Sequence, residues 1–238
     1  MEVILFIAII LVASVLQTST GFGFSILATP FLLLLFSVTD AIQINLVLSL
    51  VISGALIFKI RTDIDMAVLK RLMIGSVAGM PLGIAIFLWA DLEGLKLAIS
   101  LIILLLTLLL ILSFRIKQTN RRDWLFGGLS GSLTTSIGMP GPPLLLYFSG
   151  TNTQKEKLRG TTLAFYLFIY SISLALQILF AGTNKTVWIW SGLAIPLVLA
   201  GLYVGQRLFK WIDQRTFRFV TYGILLFTGL YLLIDNLY

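Results

Sequence analysis

Any chemistry in this 238-residue chain has to come from hydroxyls, amides and the backbone, because it contains no cysteine and no histidine. That inventory excludes disulfides and thiol chemistry, and with them the commonest zinc, haem and nucleophile–base constellations. The ten carboxylates are scattered rather than clustered. Neither a metal nor a cofactor is expected, and an enzyme is hard to build from these parts. Polar residues concentrate instead in two short runs. One is Gln17-Thr18-Ser19-Thr20-Gly21-Phe22-Gly23 with Ser25 just after it; the other is Thr134-Thr135-Ser136-Ile137-Gly138-Met139-Pro140-Gly141-Pro142-Pro143. Glycine and proline at that density break a helix. A helix that restarts after a break exposes amides with no intrahelical partner. Those amides, with the positive end of the helix dipole, attract anions. The restarts are expected near Phe24 to Ser25 and near Pro142, since Pro142 and Pro143 suit a first helical turn. Two such starts, flanked by the hydroxyls of Thr18, Ser19, Thr20, Ser25, Thr134, Thr135 and Ser136, would make a neutral, donor-rich cage for an oxyanion. The competing explanation is that small residues permit close helix packing and their hydroxyls bond backbone carbonyls.

The elements that must position these runs are membrane helices. Hydrophobic residues make up 58% of the chain and charged residues 11%, against about 25% charged in an ordinary soluble domain. Apolar spans run from about Ala41 to Phe58, Ala67 to Trp89, Leu95 to Phe114, Leu158 to Ala181, Val187 to Gln206 and Phe217 to Ile234, each near the roughly 20 residues that cross a hydrocarbon core. The N-terminal apolar run continues into a Gly-rich stretch without a cleavage site, so it is expected to be retained. Lysine and arginine fall almost entirely in four blocks: Lys59, Arg61, Lys70 and Arg71; Arg115, Lys117, Arg121 and Arg122; Lys155, Lys157 and Arg159; and Arg207, Lys210, Arg215 and Arg218. The positive-inside rule puts all four in the cytoplasm.

Between the second and third blocks lies only the broken segment Trp124 to Ser149, too short for two full crossings. It is expected to be a re-entrant hairpin of two half-helices. The segment Val3 to Leu35 is read the same way from the opposite face. The expected fold is an all-α polytopic membrane protein, one domain over residues 1–238. Repeat 1 spans about 1–116 and repeat 2 about 121–238, each a broken hairpin followed by three transmembrane helices, the second inverted relative to the first. Thr18-Ser19-Thr20-Gly21 lies on Thr135-Ser136-Ile137-Gly138 in this alignment.

Other polar residues within spans are Gln43, Asn45, Thr161, Thr162 and Gln177. Asn45 and Thr161 hold similar places in the two repeats, which suits a shared cavity and interhelical hydrogen bonds equally well. Arg159 is read as a topology-setting charge, with attraction of anions as the second reading. No ionisable residue lies at the centre of a span, so proton coupling through a side chain is not expected. No phosphate-binding Gly-x-x-x-x-Gly-Lys-Ser/Thr loop occurs. The basic balance of +7 is spread in blocks between spans rather than over one face, which argues against nucleic acid. The expected partners are the lipid bilayer and a small anion; the oligomeric state stays open, a homo-oligomer included.

The segment Gln17 to Phe24 leading to Pro30, and Gly138-Met139-Pro140-Gly141-Pro142-Pro143-Leu144 leading to Tyr147-Phe148, resemble the paired motifs of the sulfite exporter TauE/SafE family. The resemblance covers essentially the whole chain. It implies a permease of a bacterial cytoplasmic (inner) membrane for sulfur-containing oxyanions such as sulfite, thiosulfate, sulfoacetate and organic sulfonates. Carried over by position, Thr18 to Gly23 and Thr135 to Gly141 would line the anion site. Many members carry three consecutive glycines at these breaks, where this chain has Phe22, Met139 and Pro140. Bulk there could favour an organic sulfonate or a carboxylate. The candidate substrate-binding set is Thr18, Ser19, Thr20, Gly21, Phe22, Gly23, Ser25, Asn45, Thr134, Thr135, Ser136, Gly138, Met139, Gly141, Thr161 and Gln177. The rival readings are a passive anion channel, a carrier of an organic carboxylate and a non-transporting membrane scaffold.

The absence of native cysteine makes single-cysteine labelling clean. Cysteines placed at Gln118, Gln154 and Gln214 should react from the cytoplasmic side, and one at Thr183 from outside. Opposite-side labelling at Gln118 and Gln154 would eliminate the second hairpin.

Overall fold

The computed structural model describes residues 2–89, 92–112, 117–149, 151 and 153–211, and beyond them 216, 219, 222, 223, 226, 227, 229–231, 233 and 234. Every element among the described residues is helical: α1 Glu2–Thr20, α2 Phe24–Leu32, α3 Val38–Ile60, α4 Met66–Trp89, α5 Leu92–Ile111, α6 Asn120–Ile137, α7 Gly141–Ser149, α8 Lys155–Ala181 and α9 Lys185–Trp211. A 3-10 turn, Arg61–Asp63, joins α3 to α4. Of the eighteen residues of the span expected over Phe217 to Ile234, ten are described and all ten are helical.

Five of these helices are long and apolar enough to cross a membrane: Val3–Thr20, Val38–Asp63 with its 3-10 turn, Met66–Trp89, Lys155–Ala181 and Lys185–Trp211. Large apolar side chains such as Leu82, Leu101, Ile189 and Leu193 point outward, while Gln17, Gln43, Asn45 and Gln177 are fully buried. That distribution, apolar outside and polar within, is stable only where lipid replaces water.

Helix starts follow the local chemistry. Ser37 caps α3 by accepting from the Asp40 amide at 3.2 Å, and Thr119 caps α6 by accepting from the Arg122 amide at 3.3 Å. Before α4, Asp65 Oδ1 accepts from the amides of Ala67 and Val68, both at 3.1 Å. Each cap satisfies amides that a helix start leaves free.

Both broken segments are present, with breaks at 21–23 and 138–140. Their first arms are not half-helices, however. α1 has 19 residues and α6 has 18, about 27–29 Å at 1.5 Å per residue, whereas α2 and α7 have nine each. Each hairpin is a nearly full-length helix followed by a short return. The long arms follow from uninterrupted helical sequence up to the hydroxyl run, which tolerates helix as long as its hydroxyls bond back to carbonyls.

Each long arm packs closely on a helix of the other half. A Cβ at Gly75, Gly79 or Gly83 of α4 would stand 2.2, 2.0 and 2.4 Å from the carbonyl oxygens of Trp124, Gly128 and Ser132 of α6. The contacts climb both helices in step, so α4 and α6 run parallel. Ser132 Oγ donates to the Gly79 carbonyl at 2.7 Å across this seam. In the same way Gly201 and Gly205 of α9 admit Ser14 and Thr18 of α1, whose Cβ atoms would lie 2.4 and 2.6 Å from added Cβ atoms. α1 and α9 are therefore parallel too. Small residues at four-residue spacing bring backbones together where lipid gives helices no hydrophobic reason to associate.

The described members of the basic blocks gather at one end of the bundle. Lys59 at the end of α3 donates to Gln206 near the end of α9, Lys157 lies 3.1 Å from Asp65, and Arg71 lies 2.6 Å from Asp123. At the opposite end Asn184 donates to Asp40 at 2.6 Å and Gln43 to the Gly182 carbonyl at 2.8 Å. Gly79→Val should force the α4–α6 seam apart and cost about 1–3 kcal/mol or more. Gly192→Ala in α9, where an added Cβ meets nothing within 4 Å, should leave stability unchanged. Thermal unfolding of the two detergent-purified variants separates these outcomes.

Candidate functional site

At the first break α1 ends on its own backbone. The Gly21 amide donates to the Gln17 carbonyl at 2.8 Å, and Gly21 takes φ 84°, a conformation that favours glycine. Thr20 Oγ1 accepts from the Phe22 amide at 3.1 Å and lies 2.7 and 2.6 Å from the carbonyls of Leu16 and Phe22. Ser19 Oγ donates to the Leu16 carbonyl at 3.1 Å. The hydroxyl protons of Ser19 and Thr20 are thus committed within the chain. Thr18 Oγ1 and both polar atoms of the Gln17 amide are buried without a partner. α2 then starts at Phe24 after Gly23, with no side chain capping it.

The second break is closed more completely. Thr134 donates to the Ser130 carbonyl, Thr135 to Gly131 at 3.0 Å, and Ser136 to Ser132 at 2.8 Å. Thr135 Oγ1 also stands 3.1 Å from Ser173 Oγ. Gly138, at φ 71°, donates to Thr134 at 2.8 Å while the Met139 amide reaches Leu133 at 3.2 Å. Together they form a left-handed helix end. Two neighbouring helices pin this turn: Asn45 Nδ2 donates to the Gly138 carbonyl at 2.8 Å, and Gln177 Nε2 to the Thr135 carbonyl at 2.9 Å. α7 begins at Gly141, and Pro142 and Pro143 in its first turn have no N–H to offer. The prolines suit a helix start as expected, but they strip it of donors.

The starts of the two short helices meet against α8. The Tyr166 ring stands edge-on to Phe22 with centroids 6.4 Å apart. Its hydroxyl would lie 3.0 Å from a Cβ at Gly141, where Ile26 of α2 approaches to 3.2 Å. Tyr170, one turn further, packs on Tyr166 at 5.2 Å and donates to Ser25 Oγ at 3.3 Å. Tyr166 OH is buried with no partner. These two tyrosines were not among the sequence candidates. The available signal was a pair of phenols one turn apart in an apolar span, since a buried phenol O–H needs a partner.

The remaining candidates fall as follows. Phe22 and Met139 are buried at the breaks, 0% and 1% exposed, and Asn45 and Gln177 belong to the second break through the bonds above. Thr161 does not join them: its hydroxyl accepts from the Asp65 amide at 2.9 Å, because its turn of α8 faces the linker before α4. It lines a cleft of about 620 Å³ at the basic end, with Asp65, Lys117, Gln154 and Lys157. Burial pushes the Asp65 carboxyl up, but the Val68 amide, Lys157 and the Ala67 amide outweigh it and leave the group below its ordinary value. Arg159 lies against the first break, its Cα, Cγ and Cβ 3.1, 3.2 and 3.3 Å from an added Gly21 Cβ. Asp123, fully buried in the first turn of α6, accepts from Arg71 and from Tyr147 OH, tying α4, α6 and α7 together.

The model of the family "Sulfite exporter TauE/SafE" matches residues 5–232. The chain belongs to the sulfite exporter TauE/SafE family. As a TauE/SafE protein it is a multi-pass membrane transporter, in agreement with its five apolar helices. No curated protein and no solved structure matches the chain. Both motif segments through which the chain resembles other TauE/SafE proteins are the broken hairpins.

Asn45→Ala should leave the buried Gly138 carbonyl without its side-chain donor. The expected cost is about 1–3 kcal/mol of stability, read as a lowered unfolding temperature in detergent. An unchanged unfolding temperature would show that the second break does not depend on Asn45.

Proposed function

We propose that this protein is a secondary transporter for a small sulfur-containing oxyanion, a sulfite or an organic sulfonate, bound where the two broken hairpins meet. The observation that carries the reading is the convergence of the two short-helix starts on Tyr166 and Tyr170. Helix starts present amides and positive dipole ends to an anion, and irregular backbone at membrane depth is tolerated where it lines a cavity or is buried in protein. Phe22 and Met139 add apolar surface beside the breaks, which suits an organic sulfonate better than a bare inorganic anion.

Helix directions support an inverted repeat. α1 runs with α9 and α6 with α4. α3 and α9 end at the same face, through Lys59 and Gln206, and α4 starts from that face, where Asp65 meets Lys157 of α8 and Lys155 of α8 reaches the Phe209 carbonyl of α9. The two long arms therefore point in opposite directions, as two-faced transporters built from such repeats require. With the basic end in the cytoplasm, the protein would sit in an inner membrane with its first break on the cytoplasmic side of Tyr166. Among the described residues no carboxylate bonds to either break, so coupling is assigned to the gradient of the anion and the membrane potential rather than to a protein-borne proton.

Reconstituted protein loaded with radiolabelled sulfite or sulfoacetate should show saturable efflux and counterflow, with malonate as the carboxylate comparison. Saturable transport of malonate alone would replace the sulfonate reading by a carboxylate carrier. Single-channel currents in planar bilayers would replace it by a pore. No flux of any anion would remove it.

A further inference from the structure

Arg159 is the side chain that the packing of the two breaks leaves unexplained. It stands one turn into α8, 6% exposed, and its Nε and Nη2 are buried with no hydrogen-bond partner. A charge that served only to hold the basic end at the membrane surface would reach for water. Lys155 and Lys157, on the same turn, stay 38% and 52% exposed and have oxygen partners, Lys155 the Phe209 carbonyl and Lys157 the Asp65 carboxylate. Arg159 instead packs its stem on Gly21 and lays its guanidinium over the Phe209 ring at 4.2 Å. A ring face offsets part of the lost hydration, but it does not accept the N–H donors that lie in the guanidinium plane. Among the described residues no carboxylate lies within salt-bridge distance of it; the charge of Asp63 reaches it only at longer range. A buried guanidinium left this way is strongly unfavourable unless an anion completes it.

The surroundings make the first break different from the second. Gln17 and Thr18, in the turn of α1 that leads into Gly21, are fully buried, and the Gln17 amide and Thr18 hydroxyl have no partners. α2 starts uncapped with three amide-bearing residues, Phe24, Ser25 and Ile26. At the second break Gly138 faces Ile42 and Asn45 where Gly21 faces Arg159. There the hydroxyls and side-chain amides are spent on carbonyls, and Pro142 and Pro143 remove donors from the start of α7.

We propose that the transported oxyanion docks one-sidedly, at the first break against the Arg159 guanidinium, with the second break serving as its structural counterpart. This rests on the oxyanion reading above and adds to it the cation that the site uses. A guanidinium fork matches two oxygens of a sulfonate, sulfite or thiosulfate group. The buried setting strengthens that pairing relative to a surface one.

The test uses full-length purified protein with sodium thiosulfate and sodium sulfoacetate as probes, followed by calorimetry and by thermal unfolding. Arg159→Met removes the charge at similar length. Without anion it should unfold at a higher temperature than wild type, and it should lose binding of both probes together with the stabilisation they give. Arg159→Lys keeps the charge without the fork and should weaken binding roughly tenfold or more. Lys157→Gln, on the same turn but paired with Asp65, should bind as wild type does. An Arg159→Met protein that binds either probe as tightly as wild type, or that is less stable than wild type without anion, overturns the proposal and leaves the transporter reading standing. A wild-type protein that binds neither probe and carries no anion in the flux assay overturns both.

Discussion

Backbone amides and carbonyls at membrane depth have no water to bond, so a chain that interrupts its helices there must satisfy every freed group from within. Most of the interior follows from that demand. Asn45 and Gln177 are fully buried amides in α3 and α8, and each spends its NH2 on a carbonyl at the second break. The threonines and serines of the hydroxyl runs mostly bond carbonyls a turn earlier. They spend their own protons inside the helix, while carbonyls of the last turn are met by the Gly138 and Met139 amides and by Gln177.

Satisfying the backbone and binding a ligand compete for the same donors. A hydroxyl that donates to its own helix cannot donate to an anion, since it has one proton. The available donors are therefore those the breaks leave over: the Gln17 amide, the Thr18 hydroxyl, Arg159 and the Tyr166 hydroxyl. They lie on or beside the first break and the meeting point of the short helices. The two breaks therefore differ inside, with Arg159 and spare donors beside the first and donors spent on carbonyls at the second.

Close backbone approach holds the long arms in place. The α4–α6 and α1–α9 seams rely on small residues, so each broken hairpin of one half is braced by an unbroken helix of the other. That exchange gives the long arms of the hairpins rigid neighbours while their short returns face each other.

The sequence by itself determined the class of protein and the location of its irregularities. A lipid-facing surface dictates composition, and glycine and proline dictate where helices stop, and both are local properties readable residue by residue. The four basic blocks likewise predicted one shared end, because charges next to apolar spans have few places to go. Only the tertiary structure decided which polar groups are spent and which are spare. Ser136 and Thr18 look alike in the chain, yet one bonds Ser132 and the other has no partner. Arg159 reads as one more surface cation until its burial against Gly21 is seen. Thr161 and Thr162 are neighbours in sequence, and it is the linker before α4 that claims the first. Hydrogen-bond partnership is settled by what packs opposite a residue, and that information belongs to the assembled bundle rather than to any stretch of chain.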